Sequence, residues 1–329
     1  MSICLGYDSE YLQDGAGAQV QRLLAIEALS CFFNVGYHHK EILSIDSNYG
    51  DGINDLNSKQ QFIKDLNRYL NFSDFSCCHI EHTSIKFNLW PRLERFFIPI
   101  LYLLKFCLNE RGRNYLLIIS NPYPGIRGHG DIYNLVRSRH GTSNRNLSKK
   151  FYIKIHLPWA NIGAGQLPDR KISLRWYQAI LQQLNTQLAE LGFECTFTFH
   201  TDGIQGLKPD LFSLGVSQKT QEYWSENNLL ADGNLNWSYI DIKSEFNFLP
   251  NIDIKYNISP IEVWDDMAEG DVLILAKSSL SFVAGLLNIN ALKLLPITVK
   301  DFPQDFRVIS VDDPSFSNNL NSLLANYLV

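Results

Sequence analysis

Short apolar runs alternate with amphipathic stretches along almost the whole chain, and this alternation restricts the fold more than any other feature. The apolar runs at Ile3–Tyr7, Tyr115–Ser120, Phe151–His156, Glu194–His200, Trp237–Ile242, Val272–Ala276 and Leu292–Ile297 read as strands buried on both faces. Helical periodicity marks Gln19–Phe33, Lys59–Leu70, Leu93–Leu108, Leu174–Leu191, Gln218–Asn228, Ile261–Ala268 and Leu280–Leu287. Strands and helices taking turns in this way predict an α/β protein with mostly parallel sheets. A length of 329 residues exceeds one comfortable core and predicts two domains. The polar stretch Gly141–Lys150, nearly free of bulky apolar residues, places the boundary. Two Rossmann-like domains facing a cleft are therefore expected, over residues 1–148 and 149–329.

Charge and cysteine usage narrow the function class. The chain carries 29 Lys and Arg against 34 Asp and Glu, a net charge of −5, which argues against a nucleic-acid partner because phosphate neutralisation needs a large basic surface. The basic residues Arg127, Arg137, Arg139, Arg145, Lys149 and Lys150 are interrupted by polar ones and read as a solvated face. Six scattered cysteines with no C-x-x-C pair predict reduced thiols, a cytoplasmic setting and no structural zinc. No secretory signal is expected from the first residues. The most apolar stretch, Phe96–Leu108, has thirteen residues and includes Pro99 and Lys105. A membrane span needs about 20 apolar residues, so no transmembrane segment is expected.

Several places can carry chemistry. In Asp14-Gly15-Ala16-Gly17-Ala18-Gln19, two glycines let the backbone approach a ligand ahead of a helix N-terminus that favours anions. The third glycine of a dinucleotide fingerprint is absent, and a plain strand-to-helix turn accounts for the same residues. In Asp271–Leu287 an apolar strand runs into Lys277-Ser278-Ser279-Leu280-Ser281 and then at once into a helix. Serine hydroxyls, helix-start N–H groups and Lys277 form a phosphate cradle on this reading; one serine acting as a cap is the simpler alternative. His156 ends the first strand of the second half, and His200-Thr201-Asp202 ends the next. No D-x-D pair, P-loop, G-x-S-x-G elbow or H-E-x-x-H occurs. No cofactor and no metal are expected.

In order along the chain, these segments resemble the fucosyltransferase-like GT-B glycosyltransferases, which include α-1,2-, α-1,6- and protein O-fucosyltransferases. The glycine loop at 14–19 is similar to the family's G-x-G-N/A-Q loop. His156–Tyr177, with Pro168-Asp169-Arg170 and Trp176-Tyr177, sits where the family has H-x-R-R-G-D. Asp271–Leu287 is similar to its A-D-x-L-x-x-x-x-S-S-x-S-x-x-A motif. The resemblance implies an N-terminal acceptor domain, a C-terminal donor domain and metal-independent, inverting transfer of fucose or a related sugar from a GDP-linked donor to a glycan. It further implies that Ser278, Ser279 and Ser281 hold the diphosphate and that Glu262 binds the base. Gly15, Gly17, His156, Asp202 and Lys277 complete the implied donor site, with Asp14 as general base. Where the family has two arginines and Gly-Asp, this chain has Pro158-Trp159 and Ala160-Asn161. A metal-free transfer needs a cation on the departing diphosphate, and Arg170 is the candidate, ahead of Lys277. The alternative is a catalytically altered or inactive member that binds a different nucleotide sugar or a carbohydrate. An unrelated α/β ligand-binding protein is a third reading.

Overall fold

The computed structural model describes residues 3–7, 15–45, 56–75, 83–87, 96–111, 113–126, 128–141, 149–158, 172–201, 230–231, 234–235, 241–256, 258–296 and 302–328. The protein is α/β with two parallel sheets. Its chain divides into two compact units. One gathers Met1–Asp46, Gln60–His140 and Lys300–Gln304; the other gathers Ser47–Lys59, Gly141–Val299 and Asp305–Val329.

The first unit holds strands β1 (Ile3–Tyr7), β2 (Gly36–His38), β3 (Thr83–Phe87) and β4 (Tyr115–Ile119) in the order β2-β1-β4-β3. Helix α1 (Ala16–Phe33) packs on β1 and is buried almost all round, including Gln19, Arg22 and Glu27. A charge at that depth needs partners, and they come from the far end of the unit: Arg139 Nη1 lies 2.9 Å and His140 Nε2 2.6 Å from the Glu27 carboxylate. Arg139, expected on a solvated face, thus holds a buried acid. Helices α2 (Leu56–Tyr69), α3 (Phe97–Asn109), α4 (Tyr123–Ile126) and α5 (Asn134–His140) complete the described helices of this unit, except that α2 begins in the other one. Cys4 on β1 is disulfide-bonded, which corrects the expectation of reduced thiols, while Cys31, Cys107 and Cys195 form no disulfide. Its partner lies outside the described residues; such a pairing is made by the fold and leaves no spacing signature.

The second unit holds β5 (Lys150–Leu157), β6 (Glu194–Thr201), a two-residue ribbon of β7 (Leu230–Ala231) and β8 (Asn234–Leu235), then β9 (Ile252–Tyr256), β10 (Val272–Ile274), β11 (Leu292–Leu295) and β12 (Phe306–Val308). Six of them form one parallel sheet in the order β12-β11-β10-β5-β6-β9. Numbered from its first strand, that is the 3-2-1-4-5-6 order of a doubly wound nucleotide-binding sheet. Strands β5 and β6 alternate strictly. Phe151, Ile153, Ile155, Leu157, Phe197 and Phe199 face a core shared with α6 (Leu174–Glu190), α7 (Ile242–Glu245) and α10 (Phe316–Leu328). Lys154, His156, Thr198 and His200 face the other way, toward α8 (Pro260–Ala268) and α9 (Ser279–Leu287), and are buried there.

Most expected elements appear within a few residues of their expected ends. The expected helix Gln218–Asn228 lies outside the described residues, as does most of the expected strand Trp237–Ile242. Ile242 itself is helical, because the Asp241 side chain accepts from Ser244 N and starts α7. Strands β2, β3, β9 and β12 were not expected; they are edge or next-to-edge strands of three to five residues, several with exposed faces, and carry little apolar signal.

Candidate functional site

In an open parallel sheet, ligands bind outside the carboxyl ends of the strands, where the strand order reverses. Here the reversal lies between β5 and β10. The end of β5 brings His156 to that point, and the turn after β10 brings the N-terminus of α9.

Three packing features set α9 in place. Trp264 of α8 is buried and its Nε1 donates to Leu280 O at 3.1 Å. Asn288 is buried just beyond α9; its Nδ2 donates to Met267 O and Gly270 O, and its Oδ1 accepts from Asn290 N and Ala291 N. Gly285 lies so close to Phe306 that a Cβ would stand 2.5 Å from its ring.

The serines then divide by role. Ser278 is the N-cap of α9, its Oγ accepting from Ser281 N at 3.1 Å. Ser281 is fully buried: its Oγ accepts from Ala276 N at 2.9 Å and lies 2.6 Å from His156 Nδ1. Ser278 Oγ lies 3.4 Å from the same Nδ1, so both serine hydroxyls meet one ring nitrogen of His156. Ser279 is half-buried at the first helical position, and its hydroxyl makes no hydrogen bond among the described residues. The helix-start N–H groups of Ser279 and Leu280 have no intrahelical acceptor. Lys277 is half-buried in the turn just before the cap. An anion at this point would therefore meet two backbone N–H groups, one hydroxyl and the helix dipole.

His156 is held neutral. Burial, with the charge of His200 second, pushes its imidazole down to about 3. The Tyr177 hydroxyl donates to its backbone carbonyl at 3.3 Å.

Beside it on the same sheet face lies a second polar group that sequence reasoning missed. Asp266 of α8 accepts from His200 Nε2 at 2.8 Å, Lys154 Nζ at 2.9 Å and Lys255 Nζ at 2.7 Å. Burial raises the Asp266 carboxyl, but the hydrogen bonds from His200, Lys255 and Lys154 outweigh it and hold the group well below the usual carboxylate range. Burial lowers His200 despite the carboxylate, and its Nδ1 is buried with no hydrogen-bond partner among the described residues. Gly270 makes room for the buried lysine, since a Cβ there would stand 2.7 Å from Lys154 Cγ. The available signal was the period-two spacing of Lys154 and His156 and of Thr198 and His200, which puts all four on one face.

Glu262 closes a capping box with Ser259: Ser259 N donates to Glu262 Oε2 at 2.9 Å and Glu262 N to Ser259 Oγ at 3.3 Å. It also lines a cleft of about 650 Å³ along β9, with Lys255, Asp265, Asp266 and Glu269. Four acids against one lysine make that cleft unsuited to a phosphate. Gly15 and Gly17 lie in the first unit: Gly15 is the N-cap of α1 without a side-chain cap, and Gly17 is already helical and buried. The expected loop is therefore shorter, because α1 starts at Ala16 rather than Gln19. Asp14, Arg170 and Asp202 lie outside the described residues, as do 159–171, which include Trp159, the second of the two positions where the family has arginines. Among the described residues, no three His, Cys, Asp or Glu side chains are grouped to hold a metal ion, and no helix is long and apolar enough to cross a membrane. No family model, no curated protein and no solved structure matches the chain.

Proposed function

We infer that the second unit binds a nucleotide sugar at the β5–β10 switch point and that the protein transfers the sugar, fucose or a related one from a GDP-linked donor, to a glycan acceptor. The observation that supports this most is the α9 N-terminus, with free N–H groups and the Ser279 hydroxyl, placed where a doubly wound sheet reverses. The order of motifs resembling the GT-B fucosyltransferases supports the same reading, with the first unit on the acceptor side, Glu262 toward the base and Asp202 among the donor-binding residues.

On this reading the diphosphate rests on the first turn of α9, beside the neutral His156 imidazole. Lys277 and Arg170 are the cations that offset charge on the departing diphosphate, a task a dry site cannot leave unassisted. Asp14, ahead of α1, takes the proton from the acceptor hydroxyl in a single inverting displacement. No metal takes part. A second reading, a binder that has lost transfer, draws on one feature: Pro158-Trp159-Ala160-Asn161 stands in place of the family's Arg-Arg-Gly-Asp.

Thermal unfolding with GDP, UDP, CMP and their sugars, each with and without EDTA, tests the inference. A ligand at 100 times its Kd stabilises by about 2.7 kcal/mol, a rise of several degrees. GDP and GDP-fucose should give that rise, undiminished by EDTA, and GDP release on adding a glycan identifies the transferase over the binder. No shift with any nucleotide or nucleotide sugar refutes the transferase and leaves, of the second reading, only a carbohydrate binder.

A further inference from the structure

Apart from Lys105 and Asn109, every residue of helix α3 is apolar or aromatic. Phe97, Leu101 and Leu108 are buried in the first unit. Two contacts fix the helix against α1: Lys105 Nζ donates to Phe33 O at 2.5 Å, and the Tyr102 ring meets the Phe33 ring edge-on at 4.7 Å. Its other face, Tyr102, Leu103 and Phe106 one turn apart, is 49%, 61% and 66% exposed. Phe96 is exposed at the start of the helix, and exposed Phe32 extends the patch across the Tyr102 ring at 6.3 Å. A contiguous apolar face of this kind marks an interaction surface, since a helix normally turns such a face inward.

The charge around it indicates the partner. From Lys105 to Arg113 the described residues include Lys105, Arg111 and Arg113 against Glu110, in a chain whose net charge is −5. Arg111 and Arg113, at the end of the helix, are exposed. An apolar, aromatic face bordered at its C-terminal end by cations complements hydrocarbon bordered by anionic headgroups. We propose that this face of α3 docks the protein on an anionic lipid bilayer. At thirteen residues the helix is about 20 Å long, too short to cross, so it lies in the plane of the interface. Tyr102, with an apolar ring and a polar tip, suits headgroup depth. This surface does not depend on the reaction inferred for the other unit.

The test is co-flotation of the full chain with vesicles of phosphatidylcholine alone or with 30% phosphatidylglycerol. Binding is expected only to the anionic vesicles, weakened by 0.5 M salt. Leu103→Glu with Phe106→Glu should lower partitioning at least roughly tenfold without moving the melting temperature, because both side chains are exposed. Arg111→Ala with Arg113→Ala should lower it by a similar factor through charge alone. Leu191→Glu, at an exposed leucine of the second unit, should change nothing. No binding to anionic vesicles, or an equal loss with Leu191→Glu, overturns the proposal. So does a self-association, measured by light scattering, that the Leu103/Phe106 variant abolishes while vesicle binding persists; the face would then belong to a second copy.

Discussion

Acid should destabilise this protein through His156, and the structure sets how much. A free histidine titrates near 6.5, whereas burial, helped by His200, pushes His156 down to about 3. Above pH 6.5 the imidazole is neutral in both folded and unfolded chains and contributes no slope. Below 6.5 the unfolded chain takes up a proton that the folded one refuses, so stability falls with pH, by about 1.4 kcal/mol per unit, until the folded value is reached. Between pH 7 and 4.5 this one group should remove roughly 2.7 kcal/mol. His200, also lowered by burial, adds a loss of the same sign. The perturbation is His156→Gln, whose amide can still hydrogen-bond Ser281 Oγ but does not titrate. Urea unfolding of wild type and variant at pH 7, 5.5 and 4.5 reads the difference, in which the other titrating groups largely cancel. The variant should start less stable at pH 7 and lose roughly 2–3 kcal/mol less on acidification. The imidazole C2–H resonance assigned to His156 should keep its neutral shift at pH 4.5. Parallel stability profiles for the two proteins would refute the burial of a neutral histidine under α9.

Other consequences follow from the same geometry. Asp266→Asn leaves Lys154 charged with its side chain only 7% exposed and should cost about 3–5 kcal/mol, seen as a lower urea midpoint; a change under 1 kcal/mol would mean water already reaches the lysine. Ser279→Ala should weaken binding of whichever nucleotide raises the melting temperature by roughly tenfold or more at unchanged intrinsic stability, while Ser281→Ala should lower stability by about 1–3 kcal/mol by stranding Ala276 N; equal effects from the two would refute the division of roles among the serines. Thiol titration of the denatured, unreduced chain should find four of the six cysteines reactive, whereas six would show that Cys4 is unpaired.

How much of this was legible beforehand depended on the range of the interaction concerned. The strands of the two sheet centres, the helices beside them and the α/β class follow from local periodicity, because a buried parallel strand must be apolar for its whole length. The turn from β10 into α9 was legible for the same local reason: an apolar run ending in a serine cluster stops a strand and starts a helix within a few residues. Edge strands such as Ile252–Tyr256 were not, since one face meets solvent and the apolar signal is halved.

What the chain alone could not disclose is which side chains meet. Ser278, Ser279 and Ser281 look alike in sequence. Only the three-dimensional placement of β5 beside β10, residues 125 apart for His156 and Ser281, turns the last of them inward and leaves Ser279 facing out. The Lys154–His200–Lys255–Asp266 cluster joins four segments that share no motif; each lysine or histidine taken singly reads as a surface residue until the sheet register puts them under one helix. The exposure of Tyr102, Leu103 and Phe106 was not legible in the sequence. Composition requires that such side chains be kept from water, but only tertiary packing decides which face of α3 the protein itself can cover.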